Sequence, residues 1–195
     1  MIQDFFSTAT FFDIVIVLVA MGLFVAGWLQ GAIRQLLGIA AFLLAFLLAA
    51  NLRDPLGDFL ARNWTFNDRG FNFMLALLGL WIAGAITLQI AVQSFYRRVI
   101  IHRRLVILDE LLGGLLGAFQ VILVIALVVI AFDTYYSPLA STALLKEAHD
   151  AEWARTLETL LRDSAIVGAL RDGLIPLLLA LLGPLLPADF AAPIR

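Results

Sequence analysis

Apolar residues run almost without interruption from Phe11 to Ala50, and the break in the pattern is "GWLQGAIRQLLG", Gly27 to Gly38. As one helix this run would be about 60 Å long, twice the ~30 Å hydrocarbon thickness of a bilayer. It must therefore reverse if it lies in lipid. Residues 14–33 form one uncharged window and residues 35–52 a second, each within the ~17–25 residues that a membrane helix needs. Between them, Gly27 to Arg34 is predicted to be the tight turn of a helical hairpin. Glycine allows the required backbone angles, and the polar side chains suit headgroup depth.

Two further windows follow. Gly70 to Tyr96 is longer than a span requires and can tilt, and Leu111 to Phe132 is uncharged throughout. The intervening segment Asn51–Asn72 reads as a loop in which Arg53, Arg62 and Arg69 balance Asp54, Asp58 and Asp68. Beyond Tyr135 the pattern changes. Residues 141–164 alternate as an amphipathic helix, with His149, Trp153, Leu157, Leu160 and Leu161 on one stripe. "GLIPLLLALLGPLLPA" then stays apolar but carries Pro176, Pro184 and Pro187. Proline interrupts helices and sixteen residues is short for a span, so this stretch is expected to be a broken helix packing on the bundle or dipping into the interface, with a fifth span as the alternative. The predicted fold is an all-α integral membrane protein of about four transmembrane helices, with a tight hairpin between the first two and a C-terminal helical tail. The membrane domain covers residues 1–135 and the extracytoplasmic tail residues 136–195.

Composition agrees with the pattern. The 195 residues are 63% hydrophobic and only 14% charged, against about 25% charged in ordinary soluble domains. The net charge of -2 offers no field for nucleic acid. Orientation is set by arginines in the short loops. Arg97, Arg98, Arg103 and Arg104 cluster between the third and fourth windows. Placing them in the cytoplasm puts Arg34 there too and leaves both chain ends outside.

The catalytic inventory is thin. Cysteine is absent, and His102 and His149 stand apart, without a second ligand at metal spacing. No phosphate loop, nucleophile elbow or zincin motif occurs. The expectation is no enzyme, no cofactor and no metal. Small residues say more: Gly27 and Gly31 form G-x-x-x-G, as do Gly113 and Gly117. Such spacing lets helix backbones approach closely in lipid. Packing within one chain is the simpler reading and self-association the alternative, with Gly27–Gly31 compromised as a packing face by its overlap with the turn. Ionisable residues mark only the span ends: Asp13, Arg34, Asp109, Glu110 and Asp133. Asp109 and Glu110 fall at the same membrane face as Arg34 and are its candidate partners. Gln89, Gln93 and Gln120 are the main polar groups inside the spans.

Three segments resemble the colicin V production proteins (CvpA-type membrane proteins): "FFDIVIVLVA" opening the first span, "GWLQGAIRQLLG" at the turn and "LDELLGGLLGAFQ" opening the last. Family members typically carry G-x-x-x-G-x-x-R-E at the turn and D-R-x-x-G-x-x-x-G at the last span. Here Gln35 replaces the acid and Glu110 the basic residue. The resemblance covers Phe12 to about Tyr135. It implies a multi-pass protein of the bacterial inner membrane linked to colicin V production and export, with no reaction attached. The residues singled out for function or structure are Asp13, Gly27, Gly31, Arg34, Asp109, Gly113 and Gly117. Expected partners are the lipid bilayer and either a second copy of the chain or other inner-membrane and envelope proteins. An accessory or scaffold role is the leading expectation. The alternative is a small oligomeric channel or transporter with a glutamine-lined path. A polar groove continuous across the bilayer would favour that alternative, and a dry bundle the scaffold.

Overall fold

The computed structural model describes residues 10–64, 69–95, 106–136, 152–187 and 190. The arginine cluster, His102 and His149 lie outside the described residues. Four long helices dominate: α1 (Phe11–Gln30), α2 (Ala32–Asn63), α3 (Arg69–Phe95) and α4 (Val106–Tyr136). All four are long and apolar enough to cross a membrane. Large apolar side chains point outward along them, among them Leu18, Met21, Leu29, Ile82 and Leu115, an arrangement that suits a lipid surface. The protein is a multi-pass, all-helical membrane protein.

The reversal after the first span is sharper than the sequence pattern suggests. Gly27, Trp28 and Arg34 are all helical, and the break is confined to Gly31 (φ 81°, ψ 161°). That conformation is essentially reserved for glycine. The Gly31 amide closes α1 on the Gly27 carbonyl at 2.9 Å, and its carbonyl opens α2 by accepting from the Gln35 amide at 3.1 Å. One residue thus ends one helix and begins the next.

Despite this short link, α1 and α2 touch little. The dominant helix pairs are α1 with α4 and α2 with α3, joined where α2 crosses α4. The expected loop Asn51–Asn72 is also mostly helix. At 32 residues, α2 is about 48 Å long and outruns the ~30 Å hydrocarbon layer. Its projecting end carries Asp58, which pairs with Arg69 of α3 at 3.2 Å. Arg53, read from the sequence as a loop charge, is buried inside α2, with the Phe190 ring 4.6 Å from its guanidinium carbon.

The tail contributes α5 (Glu152–Asp163), α6 (Ala165–Asp172), α7 (Leu174–Leu182) and a 3-10 turn, Gly183–Leu185. Ser164 ends the predicted amphipathic helix and caps the next, its hydroxyl accepting from the Val167 amide at 3.1 Å. The break between α6 and α7, a bend of 44°, falls at Gly173 and not at a proline. Pro176 sits in the first turn of α7, where no intrahelical donor is needed. Val167, Leu170, Ile175, Leu178 and Leu182 are buried in the same core as Phe46, Leu77 and Leu127. The tail therefore packs on the bundle, and by length and composition the bent pair α6–α7 passes either as one broken span or as a re-entrant segment.

Candidate functional site

Gly31 and Asp109 define one end of the bundle, the turn end. Asp13 and Asp133 define the other, the tail end. At the turn end, α1 and α4 meet through glycine on both sides. A methyl group added at Gly27 would strike the Gly113 carbonyl. One added at Gly113 would strike the Gly27 carbonyl and the backbone of Gly31, and one at Gly117 the Leu23 carbonyl. Both G-x-x-x-G motifs thus form one intrachain contact, and Gly27 serves as a packing surface because the turn starts later than expected. Asp109 completes it. Its Oδ1 accepts the Ala32 amide at 3.1 Å, and its other oxygen lies against the Gly31 Cα, where a side chain would otherwise point. The Ala32 amide is one of the orphan donors at the start of α2, and a carboxylate there also meets the favourable end of the helix dipole.

Arg34 is not the partner of Asp109. Its Nε is buried with no hydrogen bond, and it forms no ion pair with the described residues. The carboxylate is committed to the turn backbone, so the arginine-to-acid pairing suggested by the sequence gives way to a backbone cap.

At the tail end, Asp13 is 1% exposed and gathers five donors. The Thr10 amide and hydroxyl bind it at 2.9 and 2.7 Å. The Ser164 hydroxyl donates at 2.5 Å, and the Ile166 and Ala165 amides approach at 3.3 and 3.4 Å. One side chain thus caps its own helix and the start of α6. The far end of α6 is held by Arg171, which donates to Asp133 of α4 at 2.8 Å. Asn51 of α2 donates to the Leu185 carbonyl at 3.1 Å, and Phe190 lies edge-on to Phe46.

Between these ends, α1 and α3 leave a cleft of about 340 Å³. Its polar lining is Gln30, Gln35, Gln89 and Gln120. Gln35, only 5% exposed, donates to Gln120 at 2.5 Å. Gln89 lies over Gly38, and the Gln30 oxygen is buried without a partner. Phe42 bounds the cleft on α2 and lies tilted against Trp81, whose ring also meets Phe46. Beyond them the core is apolar: Phe46, Ala49, Leu77, Ala126 and Leu127.

The family model described as colicin V production protein matches residues 12–158. The chain belongs to the colicin V production protein family. No curated protein and no solved structure is matched. The family region holds the four long helices and reaches α5, so Asp13, the Gly31 turn, Asp109 and the glycine contact all fall inside it. The segment that Asp13 caps, from Ser164 onward, falls outside. Sequence reading missed Ser164, Arg53 and Gln30 as working residues. A signal existed for the first, since serine directly before "AIVGALRD" is an N-cap pattern. Gln30 hid inside the presumed turn, and Arg53 inside the presumed loop.

Proposed function

We propose that this family member acts without chemistry of its own, as a scaffold or accessory protein of the bacterial inner membrane in toxin production, secretion or envelope maintenance. The observation that supports this reading is the apolar cluster that begins where Phe42 lines the glutamine cleft and continues through Trp81 and Phe46 into the core. A conducting path needs polar groups or water through the whole hydrocarbon layer. Here the polar lining stops part-way, and close-packed apolar side chains fill the rest. The tail, fastened at Asp13, Asp133 and Asn51, offers a formed surface at one membrane face for envelope partners.

The deciding experiment pairs two measurements. Protein reconstituted in liposomes should pass neither protons, potassium nor a small fluorescent anion above the rate of empty liposomes. The gene, restored to a colicin V-producing strain that lacks its own copy, should recover secreted toxin. Flux that disappears when Gln35 or Gln120 is changed to Leu would replace the scaffold with the channel.

A further inference from the structure

We propose that the glutamine cleft is a binding site for one neutral amphiphile, its hydroxyl- or amide-bearing headgroup held by the carboxamides and its chain leaving between α1 and α3. This goes beyond the role in toxin production and does not depend on it.

The first argument is unsatisfied hydrogen bonding. Each carboxamide has two donors and an oxygen with two lone pairs. Within the cleft only Gln35 and Gln120 bond to one another. The Gln30 oxygen is buried and unpartnered, and Gln89 makes no hydrogen bond to the described residues. Gln30 adjoins Gly31, and Gln35 and Phe42 lie about 6 and 16 Å along α2 from it, so the cleft runs from the interface into the hydrocarbon layer, and a buried unpaired polar group in it is costly. A ligand bringing both donors and acceptors removes that cost.

Charge and shape narrow the class. None of the side chains lining the cleft is ionisable, so a charged headgroup would be desolvated with nothing to offset it. The mouth is apolar, formed by Leu23 and Ala26 on α1 and by Ile86 and Ile90 on α3. Both isoleucines are exposed, and α1 and α3 are not among the packed helix pairs, so entry is sideways from the membrane. A volume of about 340 Å³ accommodates a small headgroup and a few methylenes, at the lower end of the range of ligand pockets, ~300–1,000 Å³.

The test uses the full chain in phosphatidylcholine nanodiscs with a photoreactive monoacylglycerol. Labelling should saturate and map to Leu23–Gln30 or Ala85–Ile90. Unlabelled monoacylglycerol or a simple fatty amide should displace it, and phosphatidylglycerol of the same chain length should not. Gln89→Leu, which breaks no bond within the protein, should weaken binding by about tenfold, the worth of one net hydrogen bond. Ala85→Phe should fill the cleft and abolish specific labelling. Labelling that never saturates, equal displacement by phosphatidylglycerol, or unchanged affinity in Gln89→Leu protein of normal thermal stability would each overturn the proposal. Toxin secretion by the same variants is scored separately, so failure here leaves the scaffold reading standing.

Discussion

Asp13 holds two helices with one carboxylate, and its chemistry explains why no neutral residue would serve as well. Its oxygens accept from Thr10, Ser164, Ala165 and Ile166, and bonds to an ionised acceptor are about twice as strong as neutral ones. Asp13→Ala would strand the Ser164 hydroxyl and the first amides of α6 in a buried setting. Losing one cap costs about 1 kcal/mol and each buried orphan about 1–3 kcal/mol. The expected result is destabilisation by at least about 2 kcal/mol, seen as a lower melting temperature in detergent and faster proteolysis near Ser164. Because both residues serve one contact, Asp13→Ala and Ser164→Ala should be non-additive in a double-mutant cycle. Additive losses would show that Asp13 acts only on its own helix.

Helices α1 and α4 are joined by absence of side chains. In lipid, burying one more leucine gains little over exposing it to acyl chains, so association depends on close backbone approach. Gly27, Gly113 and Gly117 supply it, and Gly31 lets the chain leave the contact at once. Gly27→Ile or Gly113→Ile should force the two helices apart, at a cost of about 1–3 kcal/mol by overpacking alone. Reduced membrane accumulation and a lower melting temperature would report it. Gly22 and Gly79 provide the comparison, since a Cβ there meets nothing within 4 Å. Alanine at either should be tolerated. If isoleucine at Gly113 were equally harmless, the α1–α4 contact would not hold the fold.

On the scale of the whole molecule, the tail end and the turn end lie at opposite ends of the long helices and are expected to face opposite sides of the membrane. By the positive-inside rule the arginines at positions 97–104 predict a cytoplasmic turn end, an expectation that labelling tests. Because the chain has no cysteine, introduced thiols give a clean readout. Asn63→Cys and Asp163→Cys should react with an impermeant maleimide in intact spheroplasts, and Ser94→Cys only after permeabilisation. The opposite pattern would invert the orientation while leaving the fold intact.

The sequence by itself determined the four long apolar helices, the helical class and the site of reversal, because hydropathy and glycine content are local properties that need no partner. It also marked Asp13, Gly31, Asp109 and the two G-x-x-x-G motifs, since charge and small residues are conspicuous against an apolar background. Only the tertiary structure decided which helices meet. Lipid-facing and helix-facing residues are equally apolar, so periodicity cannot tell α1 against α4 from α1 against α2. For the same reason four glutamines from four helices could not be seen to share one cleft. The largest gap is Asp13 and Ser164, 151 residues apart in the chain yet 2.5 Å apart in space. A carboxylate at a helix start looks in sequence like a boundary marker, and its second helix is supplied only when folding brings the tail's unpaired amides to it.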